Sequence, residues 1–145
     1  MKDRDDGEIG SGWTVDNEDK SGRSRPSVSW DDLVLAIGDQ LEVRTRNTTY
    51  RLTVLDPRRR LVEVVSDGRA VPGPARFIVV GSLLSQRGSA IYSGRLVMDL
   101  SLELQAVADA PSSLGPPPRV TTSSLQTVRL RRVREWQTRT ILPPE

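Results

Sequence analysis

Arginine is the residue type on which most of the possible chemistry of this chain depends. Of its 145 residues 21 are basic, and among these only Lys2 and Lys20 are lysines. A planar guanidinium binds phosphate or carboxylate through two parallel hydrogen bonds. Eight arginines in predicted strands and turns are therefore the candidate contacts to nucleic acid or another anion: Arg44, Arg46, Arg51, Arg58, Arg59, Arg60, Arg129 and Arg131. The arginine bias could instead reflect a GC-rich genome.

The residue types of most catalytic and metal sites are missing. The chain has no histidine and no cysteine. This removes the usual general base, the Ser-His-Asp arrangement, the cysteine nucleophile and the common ligands of zinc, copper and iron. A serine–lysine pair would need one of the two lysines, and both lie in a tail where water reaches any site. We therefore expect no catalytic residue, no cofactor and no metal ion, and we interpret the chain as a non-enzyme.

One pair of carboxylates has the spacing to be considered as a glycosidase-type pair. Asp99 and Glu103 lie on the polar side of one predicted strand. Four residues of strand separate them by roughly 13 Å, whereas paired catalytic carboxylates lie about 5–9.5 Å apart. The spacing rejects the pair and favours a solvated outer face. The acidic tail and Asp31–Asp32 match no calcium-binding loop.

The elements that would position these residues are strands. Apolar and polar residues alternate along most of the chain after residue 38, which is typical of strands with one buried face. The clearest segment is 95–105, with leucine or methionine at every even position from 96 to 104. Further strands are predicted in a hairpin over 41–54 that turns at Asn47, and at 60–66, 77–80, 89–93 and 125–133. Six or seven short strands predict an all-β fold, a small antiparallel β-barrel or sandwich with at most one short helix.

Composition divides the chain into three parts. Residues 1–28 are acidic and poor in apolar side chains, which predicts a disordered tail. Residues 29–136 form the predicted β domain, with a proline-rich loop at 110–118. Residues 137–145 are expected to be an irregular C-terminal tail.

Residues 30–37 fit two structures. Ser29 could cap a short helix that Gly38 ends, or the apolar run Leu33–Leu35 could form an extra edge strand. Both interpretations stay open at this point.

Five segments share a pattern of turn and strand residues: 38–52 (GDQLEVRTRNTTYRL), 54–56 (VLD), 81–82 (GS), 89–98 (SAIYSGRLVM) and 121–124 (TTSS). In these segments the chain resembles a family of small, uncharacterised bacterial β-rich proteins. The resemblance covers about residues 38–130 and implies a single compact bacterial domain. No functional residue is carried over, because no activity is assigned to that family.

The leading functional hypothesis is a cytoplasmic binding module that docks another protein. Residues 1–32 hold nine acidic and five basic residues, so a charged tail accompanies a basic domain. The first residues form no secretion signal, and no apolar run is long enough to span a bilayer, so no membrane partner is expected. Oligomeric state is open, because exposed strand edges could pair between copies.

The alternative is arginine-mediated nucleic-acid binding by the basic face of the barrel. Scarce aromatic residues count against it, because barrels that bind single strands stack bases on such side chains. The acidic tail would also compete for the same arginines.

A third interpretation is that the arginines only protect exposed strand edges against aggregation. Similarly, the small polar residues at 47–49 and 121–124 could satisfy their own backbone or line a ligand groove.

Overall fold

The computed structural model describes residues 25–68, 71, 73–85, 89–107, 118–135 and 137–144. Most of the predicted acidic tail and nearly all of the proline-rich loop lie outside these residues. The described part of the chain forms one turn of 3-10 helix (Asp31–Leu33) and ten strands: β1 (Ser27–Ser29), β2 (Gln40–Thr45), β3 (Thr49–Asp56), β4 (Leu61–Ser66), β5 (Ala75–Ser85), β6 (Ser89–Ser93), β7 (Arg95–Val97), β8 (Ser101–Ala106), β9 (Arg119–Arg131) and β10 (Thr138–Leu142).

Six of the strands close into an antiparallel barrel. The ring runs β2, β3, β4, β5, β8, β9 and back to β2, and every neighbouring pair is antiparallel. Strand β6 continues the sheet along β5, and β10 continues it along β9. Strands β1 and β7 form a separate two-stranded sheet. The predicted all-β fold is confirmed, and of the two architectures considered it is the barrel.

Period-two alternation puts the predicted apolar residues inside the ring. In the β2–β3 hairpin Leu41, Val43, Leu52 and Val54 are completely buried, whereas the residues between them face outward. The interior is filled mainly by leucine and valine, whose branched side chains pack well on a pleated surface. The hairpin and its core residues were therefore predicted correctly.

The segment 95–105 is not one strand. Asp99 has a φ of 68°, and the turn around it separates β7 from β8. Leu102 packs in the main core, but Leu100 lies with Val97 and Tyr92 in a second apolar cluster. Val97, at an odd position, is nevertheless buried in this second cluster, so β7 has apolar contacts on both faces, whereas one buried face was predicted.

Two further segments differ from expectation. Residues 30–37 form neither the longer helix nor the edge strand, only the 3-10 turn Asp31–Leu33, after which Val34 adopts the left-handed conformation. The C-terminal tail predicted to be irregular contains β10, whose Leu142 is buried. Among the described residues no helix is long and apolar enough to cross a membrane.

Trp30 fastens the 3-10 turn to the barrel. Its backbone N–H donates to the Gly94 carbonyl at 2.7 Å, and its indole Nε1–H donates to the Pro57 carbonyl at 2.8 Å. Its side chain is 2% exposed and belongs to the main core. One residue therefore joins the segment before β2 to the β3–β4 turn and to the β6–β7 connection.

We predict that Trp30→Ala lowers the free energy of unfolding by about 3–5 kcal/mol, because it removes a large core side chain. Urea unfolding followed by circular dichroism measures the change. Trp30→Phe keeps a ring but loses the donor to Pro57, and should cost less. Ile37→Ala, at a side chain that is 68% exposed, is the control and should stay within about 0.5 kcal/mol. Equal losses in the core and control variants would contradict this role.

Candidate functional site

Four of the eight candidate arginines share the outer surface of three neighbouring barrel strands: Arg44 on β2, Arg51 on β3, and Arg129 and Arg131 on β9. Each is exposed and alternates with buried core residues, for example Leu130 between the two β9 arginines. The same alternation that fills the core thus turns these guanidinium groups outward.

The strand register aligns the polar residues of this surface in rows across the sheet. Glu42 lies directly opposite Arg51 on one side and Arg129 on the other. Gln40 likewise lies between Thr53 and Arg131, and Arg131 faces Thr138 of β10. Residues opposite one another on a sheet face have Cβ atoms about 4.5–5.5 Å apart, so each row is a contiguous set of polar side chains.

The side chains of these rows enclose an open groove of about 440 Å³, which we call the basic groove. Its lining residues are Gln40, Glu42, Arg51, Arg129, Arg131 and Thr138. Arg129 Nη1 donates to Glu42 Oε1 at 3.4 Å. Among the residues that the structure describes, neither Arg51 nor Arg131 forms an ion pair. Three cations against one carboxylate therefore leave the groove positive, with two guanidinium groups available to a ligand.

The other four candidate arginines lie elsewhere. Arg46 is exposed in the β2–β3 turn, at the far end of the barrel from Gln40. Arg58 and Arg59 are exposed in the β3–β4 turn, where Asp56 Oδ1 accepts from both of their backbone N–H groups. Arg60 is only partly exposed, and its Nε–H donates to the Val79 carbonyl at 2.8 Å. The eight arginines therefore do not form one continuous stripe.

Protection of strand edges does not explain the arginines of the groove. Strand β3 is paired with β2 and β4, and β2 with β3 and β9. The segment of β9 that carries Arg129 and Arg131 is paired with both β2 and β10. Charged residues discourage edge-to-edge association only where an edge is open. These strands present no open edge, so the third interpretation loses its physical reason here.

A buried carboxylate that the sequence analysis missed stabilises the end of the groove. Asp39 is 2% exposed and accepts the backbone N–H groups of Ala36, at 2.9 Å, and Val133, at 2.8 Å. Arg132 Nη1 lies 3.5 Å from its Oδ2, and Arg132 also donates to the carbonyls of Leu33 and Val34. No sequence motif predicts the contact between Asp39 and Val133, because the two residues are 94 positions apart in the chain.

The groove is bordered by exposed apolar residues. Gly38, Gln40, Arg131, Arg132 and Val133 line an adjoining cleft of about 240 Å³, so the two depressions share Gln40 and Arg131. Val133 is 59% exposed at this cleft, and its Cγ2 would lie 3.3 Å from a Cβ on Gly38.

Three of the four exposed large apolar side chains of the described residues belong to the segments around this cleft, and we call them the apolar rim: Val34, Ile37 and Val133. Val133 lines the cleft, and Ile37 directly precedes Gly38, which also lines it. Val34 is joined to the cleft through Arg132, which lines the cleft and donates to the Val34 carbonyl. The fourth, Val65, is the cross-strand partner of Arg51. Isolated exposed apolar residues are ordinary, but contiguous ones mark interaction surfaces.

Val34 combines exposure with backbone strain. It is 77% exposed, and its φ of 48° and ψ of 59° lie in the left-handed region. That conformation is unfavourable for a β-branched residue, and strain of this kind costs about 1–3 kcal/mol. Burial does not compensate for it, because the side chain faces solvent. Strained residues concentrate where function requires them.

The donor set of the groove suits anions. No group of three or more potential metal-binding side chains occurs among the described residues.

Comparison with protein-family models, with curated proteins and with solved structures found no match. What the groove binds therefore has to be inferred from its own residues.

The two carboxylates considered as a catalytic pair have different surroundings. Asp99 is exposed in the turn between β7 and β8. Glu103 is 5% exposed, and Thr121 Oγ1 donates to its Oε1 at 2.6 Å. The prediction that Glu103 lies on a solvated face is wrong, and so is the straight-strand spacing used to separate the pair.

The small polar residues at 47–49 and 121–124 meet at the far end of the barrel. Ser123 Oγ accepts from the Asn47 backbone N–H and donates to Thr45 Oγ1, while Thr45 Oγ1 accepts from the Thr48 N–H. Thr122 Oγ1 accepts from the backbone N–H of Leu102. These contacts satisfy backbone groups, so they favour the structural interpretation over a ligand groove.

We predict that Val34→Asn raises the free energy of unfolding by about 1–2 kcal/mol, because asparagine tolerates the left-handed conformation. Val34→Thr keeps the β-branch, and therefore the strain, and should leave stability nearly unchanged. Thermal unfolding of both variants measures the difference. A destabilised Val34→Asn protein would contradict the strain at this position.

A second prediction concerns pH. Burial raises the pKa of Tyr50 above its ordinary value of 10.0; a hydrogen bond with Thr48 opposes this shift, and the charge of Asp67 adds to it. The unfolded chain therefore loses the phenolic proton first. The stability contributed by this proton is complete below about pH 10 and is lost as pH rises through the folded-state pKa.

We expect the free energy of unfolding to fall between about pH 9 and pH 11, and to fall less in Tyr50→Phe, which lacks the group. Urea titrations of both proteins at the two pH values measure the difference. Identical pH dependence in the two proteins would refute the assignment to Tyr50.

Proposed function

We propose that this protein is a non-enzymatic binding module that docks an acidic segment of another protein in the basic groove, with the apolar rim holding adjacent apolar side chains. One observation carries this proposal. Arg51, Arg129 and Arg131 converge on a groove with a single carboxylate, and exposed valine and isoleucine side chains adjoin it. Positive charge next to apolar surface fits a peptide that carries both kinds of complementary group.

The spacing of the arginines supports an extended peptide. Arg129 and Arg131 are two residues apart on one strand, so their Cα atoms are about 6.6 Å apart. Acidic residues at alternate positions of an extended peptide have the same spacing. Each could pair with one guanidinium, and a carboxylate is a natural partner for its planar fork. Arg51, two strands away, would contact a third acid.

The nucleic-acid alternative has less support from the described residues. Their four aromatic side chains, Trp30, Tyr50, Phe77 and Tyr92, are all buried, and the most exposed of them is 7% accessible. A stacking platform for unpaired bases needs exposed aromatic faces. The apolar rim also offers nothing to a phosphate backbone.

The cytoplasmic location stays a prediction from the sequence.

The test compares two probes at low salt by fluorescence anisotropy. One is a short labelled peptide with glutamate at alternate positions and leucine at one end; the other is a labelled single-stranded oligonucleotide of similar charge. We expect the peptide to bind more tightly. Replacing Arg51, Arg129 and Arg131 with glutamine should weaken its binding roughly ten- to a hundred-fold, since each exposed ion pair contributes about 0.5–1 kcal/mol.

The matched control changes the same number of charges away from the groove. Arg46→Gln, Arg76→Gln and Arg119→Gln alter exposed arginines that do not line it, and peptide affinity should then change much less. Val34→Thr should weaken the peptide and leave the oligonucleotide unaffected. Absence of peptide binding would overturn the proposal. Tighter oligonucleotide binding that depends on the groove arginines would replace it with the nucleic-acid alternative.

A further inference from the structure

We propose that the acidic N-terminal segment of this chain, residues 1–24, is an internal ligand of the basic groove and competes there with the external partner. This inference rests on the proposed function, because it assigns a second occupant to the same surface.

Charge makes the segment and the groove complementary. Residues 1–24 contain seven acidic and four basic residues, whereas the remaining 121 contain twelve acidic and seventeen basic residues. In the groove three guanidinium groups face one carboxylate, and Arg51 and Arg131 have no ion-pair partner among the described residues. A negative segment tethered to a positive surface is present at an effective concentration in the millimolar range.

The positions of the acids match the positions of the arginines. Three pairs of acidic residues in the segment are two residues apart: Asp3 with Asp5, Asp6 with Glu8, and Asp16 with Glu18. An extended chain would place the members of each pair about 6.6 Å apart, the spacing of Arg129 and Arg131 along their strand. Any one of these pairs could therefore form two ion pairs with β9.

The apolar side chains of the segment fit the rim. Ile9, Trp13 and Val15 are the only large apolar side chains between residues 2 and 24, and they lie between the second and third acid pairs. Val34, Ile37 and Val133 offer an exposed apolar surface beside the arginines. A segment that places its acids in the groove would therefore carry these three side chains past the rim.

The segment is long enough to reach this surface. Twenty-four residues have a maximum length of about 80 Å, whereas a domain of about 120 residues has a radius of gyration of about 14 Å. The described chain begins at Arg25 and continues through β1 and Trp30 to the 3-10 turn, whose last residue Leu33 is linked to the groove end by Arg132. The length of the segment therefore does not restrict where on the domain it binds.

The consequence is competition between the segment and a partner. If the segment occupies the groove for part of the time, an external acidic peptide must displace it. Neutralising its acids, with Asp3→Asn, Asp5→Asn, Asp6→Asn and Glu8→Gln together, should then raise the affinity for the acidic probe roughly two- to ten-fold. Asp31→Asn with Asp32→Asn, which changes exposed acids outside the segment, is the control and should have less effect.

Paramagnetic NMR tests the contact directly. The native chain has no cysteine, so Ser11→Cys in the full chain accepts a single nitroxide spin label. At low salt we expect selective broadening of the amide signals of Gln40, Glu42, Arg129 and Arg131, but not of Thr48 or Ser66 at the far end of the barrel. The broadening should weaken when the four tail acids are neutralised, because the pair Asp16 and Glu18 remains. It should disappear when the three groove arginines are neutralised, and it should persist in the Asp31 and Asp32 control.

The possible results have distinct meanings. No broadening, or broadening without preference for the groove, would overturn the inference. Broadening of an unlabelled, isotope-enriched copy by a spin-labelled copy would place the segment on a second molecule and would overturn the internal contact. If the acidic probe still binds the groove in these cases, the proposed function stands while the inference fails. If the probe binds neither the native protein nor the tail-neutralised variant, the proposed function itself fails.

Discussion

Closure of the six-stranded ring is the constraint on which the rest of the structure depends. The ring closes because β9 is long enough to pair with β8 through its first half and with β2 through its second. Closure gives each ring strand a hydrogen-bonded neighbour on both sides and encloses an interior of leucine and valine. At Gly81, where β5 leaves β4 and begins to pair with β6, a Cβ would overlap the carbonyl oxygen of Tyr92, so the continuation of the sheet requires glycine there.

The same closure explains why the outer surface of β3, β2 and β9 can carry concentrated positive charge. Strands without open edges do not need arginine to prevent association. The ion pair between Arg129 and Glu42 is exposed, and such pairs contribute little to stability, about 0–1 kcal/mol. Neither edge protection nor stability thus accounts for the groove arginines. Stability also fails to explain the strain at Val34, because an exposed valine gains no packing energy from the left-handed conformation that it occupies. Together these observations are what supports the proposed binding role of this face.

The sequence predicted the parts of the fold that depend on local alternation. The β2–β3 hairpin and β4 were identified because apolar residues recur at every second position between clear turns. Strand β6 was identified because Gly88 and Gly94 bracket it. The interruption at Asp99 was missed, because leucines continue at even positions across the turn and hide the change of partner. Strand β10 was missed because Thr138 to Leu142 has only one buried apolar side chain, and its pairing with β9 is a tertiary effect. For the groove, the sequence identified the arginines but not their arrangement. Their division among three surfaces depends on the strand register, which local alternation does not show. The Asp39–Arg132 contact joins residues that are distant in sequence.

The long-range origin of the groove links occupancy to folding. Glu42 and Arg129 meet although 87 residues separate them along the chain, so an unfolded or incompletely synthesised chain has no groove to offer. A molecule that binds only the native form shifts the folding equilibrium toward it, by about 2.7 kcal/mol at a concentration one hundred times its dissociation constant. If the groove binds a ligand as proposed, copies that hold it would resist proteolysis better than empty ones, and the lifetime of the protein would then depend on the concentration of that ligand.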